Sequence, residues 1–392
     1  MMVINTYESM LSIIAGLISL LIWAYLLFAR GGFWQANRVT ASPLVSSKPQ
    51  SLVAVIVPAR NEADVVGQSI FSLLNQSYND ALHIFLVDDG STDSTAQIAR
   101  EAAAQSGKAT GLTVIEGLPL PPGWSGKLWA LNQGVEKARE LNPSFLLFTD
   151  ADVVHAPESI STLISIAEAG RYDLASFMVK LHCATLAEKL LVPAFVFFFL
   201  KLYPPRWIAD PRRSTAGAAG GCILVRPQAL DRAGGIAAIR DQIIDDCALA
   251  RKVKRSGGSL WMGLTGMARS IRPYKTFGEI GRMISRTAFN QLDHSALMLF
   301  LSLLGLTFTY LLPPLLLLAH STLARELGAG AWITMMLSYL SMVRFYSLSP
   351  AWVFVLPVVA VFYMSATIHS AVKFWLGQGG EWKGRMQDPP KA

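Results

Sequence analysis

Residues 295–324 run for 30 positions without one Asp, Glu, Lys or Arg. No other feature constrains the fold as strongly. About 20 apolar helical residues already span the hydrocarbon core of a bilayer, and soluble domains seldom hold runs this long. Residues 327–343 and 345–372 are two further uncharged runs, and residues 10–29 (MLSIIAGLISLLIWAYLLFA) form one near the start. That first run reads as an uncleaved anchor. No positive charge precedes it, and Arg30 and Gly31-Gly32 follow it where a cleavable signal would show an A-x-A site. The three later runs make two or three crossings.

Between Arg30 and His294 the chain changes character: 28 Lys+Arg and 23 Asp+Glu lie there, and only 10 charges lie outside. The overall 16% of charged residues is therefore an average of a near-normal soluble domain and uncharged ends. The expected organisation is an N-terminal anchor at 1–30, an α/β domain at 31–294, a transmembrane region at 295–376 and a basic tail at 377–392. This excludes a disordered chain, a coiled coil and a nucleic-acid-binding tail, and argues against a wholly soluble enzyme. Arg30, Arg38 and Lys48 follow the first span, and Arg282 and Arg286 precede the second, which predicts a cytoplasmic central domain. Lys373, Lys383, Arg385 and Lys391 argue for a tail on the same side. That requires an even number of later crossings, with 327–343 interfacial or re-entrant. The net charge of +7 suits an anionic membrane surface and is too small to argue for nucleic acid. Cys183, Cys222 and Cys247 have neither metal spacing nor an even disulfide framework, and read as buried thiols.

Inside the domain, apolar β-branched runs alternate with helical spacing. Strands are predicted at 51–58, 83–87, 112–115, 145–148 and 223–225. Helices are predicted at 63–74, from 91–93 to about 104, at 127–141, from Pro157 onward, and at 247–254. Strand–helix alternation implies a parallel sheet whose ligands bind past the carboxyl ends of the strands. No G-x-G-x-x-G, P-loop or G-x-S-x-G is present, which lowers the odds of a dinucleotide enzyme, a P-loop NTPase and an α/β-hydrolase.

The polar residues gather at those ends. Asp150 and Asp152 follow a strand as D-x-D: either hard oxygen ligands for a divalent ion that also meets a diphosphate, or a helix cap at Asp152. Asp88 and Asp89 can cap the next helix or accept from a base or ribose. Pro58, Arg60 and Glu62 lie in a loop that frames a nucleoside or is merely solvated. Lys127 stands where a helix begins and could meet a diphosphate. Gly220 and Gly221 allow close approach of backbone to a ligand, or a tight sheet crossing. Asp245 and Asp246 open a helix, either as residues favoured by its N-terminus or as a general base with a raised pKa. Arg282 and Arg286 are either membrane-flanking charges or cations facing a leaving diphosphate or lipid headgroups. The segment KLLVPAFVFFFLKLY (189–203) is too short to span and reads as an interfacial helix beside a lipid acceptor, or as a buried one.

Taken together, IVPARNEA (56–63), VDDGSTDST (87–95), GKLWALNQG (126–134), FTDADV (148–153), AAGGCILVRP (218–227) and IDDCALA (244–250) resemble the family 2 glycosyltransferases of GT-A fold. PPGWSGKLWALNQG (121–134), RMISRTAFNQL (282–292) and GGEWKGR (379–385) further resemble the hopene-associated glycosyltransferases of bacterial hopanoid loci. Ceramide and carotenoid-pathway glycosyltransferases are similar. The resemblance implies an inverting enzyme at the bacterial cytoplasmic membrane, with a nucleoside-diphosphate sugar donor, a Mg²⁺ or Mn²⁺ cofactor and a lipid acceptor. It implies that Pro58, Arg60 and Glu62 frame the nucleoside, that Asp88 or Asp89 contacts base or ribose, and that Lys127 meets the nucleotide. Asp150 and Asp152 would serve the metal and diphosphate, and Asp246 would be the base, with Asp245 standing where the family has Glu. Gly220, Gly221, Arg282 and Arg286 fall on the acceptor side. The Q-x-x-R-W of processive members is absent, which weakens a polymer-synthase reading. Other lipid acceptors, among them a polyprenyl phosphate, and a metal-dependent nucleotidyltransferase remain alternatives.

Overall fold

The computed structural model describes residues 2–36, 38–40, 51–78, 82–377, 381–382 and 385–386. Lys48, Lys383 and Lys391, which carry part of the expected orientation, lie outside the described residues. The chain divides into a sheet unit, containing Asn37–His182 and Trp207–Pro273, and an apolar helical unit of Met1–Ala36, Cys183–Arg206 and Tyr274–Gly379.

The sheet unit has strands β1 (Arg38–Val39), β2 (Val53–Ala59), β3 (Leu82–Asp88), β4 (Leu112–Glu116), β5 (Phe145–Thr149), β6 (Val153–His155), β7 (Leu174–Lys180), β8 (Cys222–Val225) and β9 (Leu260–Ser270). Its main helices are α1 (Val66–Leu74), α2 (Thr95–Gln105), α3 (Gly126–Arg139), α4 (Ser159–Ala169) and α5 (Asp245–Arg255). The strand order is β1-β9-β7-β8-β5-β2-β3-β4, with β6 paired to β9. β2, β3, β4 and β5 are parallel to one another, as the alternation predicts, whereas β8 is antiparallel to β5 and β7. All seven residues of β2 are buried, which is why it reads as an unbroken apolar run. Val53, Val55 and Val57 pack with Ile70 and Leu73 of α1 in the main core.

Pro157 was expected to open a helix but lies two residues ahead of α4. There its carbonyl accepts from the backbone N–H of Ser77 at 2.8 Å. Cys222 and Cys247 are buried, but Cys183 is only half-buried.

In the apolar unit, Tyr7–Phe28, Ala296–Leu318 and Pro350–Trp375 are long and apolar enough to cross a membrane. A π-helical turn at Thr307–Leu311 interrupts the second. The stretch expected to be interfacial or re-entrant lies within one continuous helix, Thr322–Phe345, which is not among the described helices long and apolar enough to cross a membrane. That helix packs alongside the N-terminal one in parallel. Gly16 lies against Leu327 and Gly330 against Leu20, and small residues at those points let the helices approach closely.

The soluble stretch expected at 31–294 is not continuous with the sheet throughout. Leu186–Leu202 and Phe277–Thr287 belong to the apolar unit, because their apolar faces are buried there. The first of these is held by a capping box between Thr185 and Glu188 and enclosed by aromatic contacts, Phe197 with Tyr339 and Phe198 with Tyr310 and Tyr363. It is a buried helix of that unit, not one lying on its surface.

Candidate active site

Strand direction decides which residues meet. β2, β3 and β5 end at one edge of the sheet, so the segments after Ala59, Asp88 and Thr149 emerge together. β8 runs the other way, with Cys222 opposite Thr149, so Gly220 and Gly221 enter at that same edge. β7 is antiparallel to β8 and parallel to β9, which brings the residues after Ser270 there as well.

On one flank, two loops are stitched together. The Arg60 guanidinium donates to the Asp89 and Gly90 carbonyls. Asn61, in the left-handed region at φ 52°, gives its N–H to Ser91 Oγ at 2.9 Å and accepts from the Thr92 N–H at 2.8 Å. Asn is among the few residues with a side chain that tolerate this conformation. Glu62 N–H donates to Thr95 Oγ1 at 2.8 Å. Asp88 Oδ1 accepts from the Ser91 N–H at 3.0 Å, so its carboxylate braces the turn. Asp89 is buried, 3.9 Å from the Arg60 guanidinium.

At the centre lies an open cleft lined by Pro58, Lys127, Asp150, Gly220, Asp245 and Asp246 over an apolar floor that includes Leu128 and Ile236. Ser125 caps α3, accepting from the Leu128 N–H, and so sets Lys127 in the first turn. Lys127 Nζ lies 3.0 Å from Asp150 Oδ1 and 3.2 Å from Asp245 Oδ2. Burial alone would lower the pKa of that ammonium, but the Asp150 and Asp245 carboxylates hold it well above its ordinary value. Burial raises Asp150, opposed by Lys127 and reinforced by Asp152 and Asp245.

Asp246 accepts from Gly220 N–H at 2.9 Å and from its neighbour Cys247 N–H at 2.7 Å. Burial first, and then the Asp245 charge, push its carboxyl up to about 6, against Lys127 and the two N–H donors. Such a group is ionised at neutral pH yet accepts a proton readily. The two glycines differ in what they do. A Cβ on Gly220 would stand 3.4 Å from Asp246 Oδ2 and 3.5 Å from Lys127 Nζ, whereas one on Gly221 would press to 2.8 Å from Val179. Gly220 borders the cleft; Gly221 is needed for packing.

Asp152 does not cap α4. Its Oδ2 accepts from Ser270 Oγ at 3.0 Å and from Arg272 Nε at 3.2 Å, and the same guanidinium pairs with Glu62. Arg272 thus joins the first loop to the D-x-D turn, a role the sequence reading missed. The one signal in the sequence is a cation just after a strand. His155 was also missed. Burial lowers its pKa to about 4, and its Nε2 lies 3.0 Å from Thr149 Oγ1, which donates to the Gly221 carbonyl at 2.8 Å. The Thr149 proton is committed to Gly221, so neutral His155 is the donor to Thr149. Arg282 and Arg286 are exposed on Phe277–Thr287 in the apolar unit, above buried Ile280 and Ile284.

Residues 54–234 match the model of Glycosyl transferase family 2, and the chain carries that domain. It is 31% identical over 123 residues to an uncharacterized protein of Methanocaldococcus jannaschii, MJ1222, covering 31% of this chain and 44% of that protein. It is 33% identical over 115 residues to the 4,4'-diaponeurosporenoate glycosyltransferase of Staphylococcus aureus, covering 29% of this chain and 27% of that protein. The chain spans less than half the length of these curated relatives. In fold it is similar to a mannosyltransferase from Pyrobaculum calidifontis solved with GDP-Man and Mn²⁺, with a TM-score of 0.54 over 92% of this chain and 97% of that one at 18% identity.

Proposed function

We propose that the protein is an inverting, membrane-bound glycosyltransferase that moves a sugar from a nucleoside-diphosphate donor, by preference a UDP-sugar, to a lipid hydroxyl. The observation that carries this reading is the convergence of Lys127, Asp150, Asp245 and Asp246 in one cleft at the carboxyl edge of the sheet. Asp246 takes the proton of the acceptor hydroxyl as its oxygen bonds to the anomeric carbon. The bond from that carbon to the diphosphate oxygen breaks, and the nucleoside diphosphate leaves. Lys127 meets the charge that develops on it.

Among the described residues, no three His, Cys, Asp or Glu side chains form a metal cage. The site still fits a divalent ion that takes one or two carboxylates and completes its shell with diphosphate oxygens and water. Asp150 is crowded by Asp152 and Asp245, a surplus of negative charge around one ammonium. Asp150 and Asp152 would hold Mg²⁺ or Mn²⁺, which supplies Lewis-acid stabilisation of the leaving diphosphate. Pro58, Arg60 and Glu62, with Asp88 and Asp89, form the nucleoside side.

Among the described residues, three helices able to cross a membrane support a lipid acceptor and a multi-pass protein, and Arg30, Arg38, Arg282 and Arg286 beside the spans support a bacterial protein with its sheet unit in the cytoplasm. A hopanoid-type lipid is the acceptor we favour, on the resemblance of segments 121–134, 282–292 and 379–385. The carotenoid named for the Staphylococcus aureus relative supports an apolar acceptor more broadly. Arg282 and Arg286 fit lipid headgroups on this reading.

The test is purified full-length protein given nucleotide sugars, membrane lipid extract and Mn²⁺. Release of nucleoside diphosphate together with a lipid-linked sugar is expected. Release of pyrophosphate from a nucleoside triphosphate, with no sugar transfer, would establish the nucleotidyltransferase instead.

A further inference from the structure

Lys254 lies in the last turn of α5 and does not line the cleft. Its ammonium reaches four backbone carbonyls: Thr215 at 2.7 Å, Ile208 at 2.8 Å, Asp210 at 3.1 Å and Trp207 at 3.3 Å. An ammonium has three protons and no acceptor, so its donors are spent on main chain. Trp207, Ile208 and Asp210 end the short helix Pro205–Ala209, where a lysine suits the last carbonyls. Thr215 comes from the far side of an exposed excursion, residues 211–214, so the ammonium closes this loop at its neck. Inside the loop Arg212 pairs with Asp210 at 3.0 Å, and the Arg213 guanidinium stacks on the Trp207 ring at 4.7 Å.

Past Thr215 the chain enters buried Ala216, Ala218 and Ala219 and reaches Gly220, whose N–H donates to Asp246. Asp246 lies in the first turn of α5 and Lys254 in the last. One helix therefore holds the 207–220 segment at two points, separated along its axis by about 12 Å for eight residues. This segment enters beside β8, on the flank of β5 opposite β2 and β3. The donor-framing loops 58–62 and 88–95 stand on the β2 and β3 flank. The segment meets the cleft at Asp246, the group that takes the acceptor's proton.

We propose that Lys254 is a positioning residue for the acceptor. By closing the loop at 207–215 it fixes the wall that ends at Gly220 beside Asp246, and so sets the pose of the lipid hydroxyl. The acceptor part of this proposal rests on the glycosyltransferase reading; the loop closure does not.

The experiment compares Lys254→Met, which keeps the bulk and removes the donors, with Lys254→Arg, which keeps donors, in the full chain. Amide exchange in 207–219 should quicken about ten-fold or more in the Met variant, while exchange in β2 and β3 is unchanged. The acceptor KM should rise about five-fold or more, as loss of positioning implies, with nucleotide-sugar Kd held within two-fold. Arginine should recover most of both effects. Unchanged exchange, a donor Kd that rises in step with the acceptor KM, or an Arg variant no better than Met would each overturn the proposal. The exchange arm needs no substrate, so it judges the clamp even if no sugar transfer is found. If the Met variant fails to fold, Lys254→Gln, which is shorter and uncharged, takes its place with the same readouts and the same overturning outcomes.

Discussion

Replacing Asp246 by Asn should stabilise the sheet unit while abolishing transfer. The folded site raises the Asp246 carboxyl from 3.8 to about 6. Holding it ionised therefore costs ~3 kcal/mol at neutral pH, at ~1.4 kcal/mol per tenfold change. Asn keeps one carbonyl oxygen for the Gly220 N–H but cannot also serve the Cys247 N–H, a loss of ~1 kcal/mol. The balance is a gain of ~2 kcal/mol, or ~4–8 °C in Tm for a domain of this size. The sign fixes the pH window. A carboxyl whose folded pKa lies above its unfolded value favours the protonated form, so its penalty is absent below about 3.8 and complete above about 6. Thermal unfolding of wild type and variant at pH 7.5 and pH 4 checks this. The gain should be present at pH 7.5 and replaced at pH 4 by a loss of under ~1 kcal/mol, because the missing Cys247 bond then outweighs what remains of the penalty. A variant that is less stable at pH 7.5, or equally shifted at both values, would refute the account of why Asp246 is poised. Loss of the base should lower kcat by ~10²–10⁴.

Asp245→Asn removes the neighbouring charge that raises Asp246 and leaves Lys127 to act on it more strongly. The acid limb of kcat/KM, expected near pH 6 in wild type, should move to lower pH; a limb that stays or rises contradicts the assignment. Gly220→Ala should fold normally, since its Cβ finds ordinary contact distances. Its methyl group beside the base should lower kcat/KM ~10-fold or more in steady-state assays. Gly221→Ala should instead cost ~1–3 kcal/mol in thermal unfolding, because its Cβ would overpack against Val179. Arg272→Met removes the guanidinium that joins Glu62 to Asp152. It should cost ~1–3 kcal/mol in denaturant unfolding and weaken nucleotide binding measured by calorimetry.

The sheet and its polar edge were legible because the runs 51–58, 83–87 and 145–148 are short and apolar and are closed by Pro58, by Asp88 and by Thr149-Asp150, so both period and punctuation survive in sequence. What sequence could not show were partners across the sheet. Lys127 reads as a diphosphate contact, but its ion pairs with Asp150 and Asp245 exist only once α3, β5 and α5 meet. Arg272 was invisible because β9, with Gly263 and Gly266 inside it, has no clean strand pattern, and a lone cation after it carries no motif. The segment 189–203 reads in sequence as an interfacial helix beside a lipid acceptor, or as a buried one. Apolar composition says that a helix will be buried, not against what, and here aromatic contacts enclose it in the apolar unit.

The most direct test of the central claim follows labelled sugar from a nucleotide-sugar donor into membrane lipid extract, with wild-type protein and with Asp246→Asn side by side. Wild type should place label in an organic-soluble product of inverted anomeric configuration and release one nucleoside diphosphate per sugar. The variant should bind the donor and transfer at ~1% of the wild-type rate or less. Equal labelling by both proteins, or a product of retained configuration, would contradict transfer with Asp246 as the base.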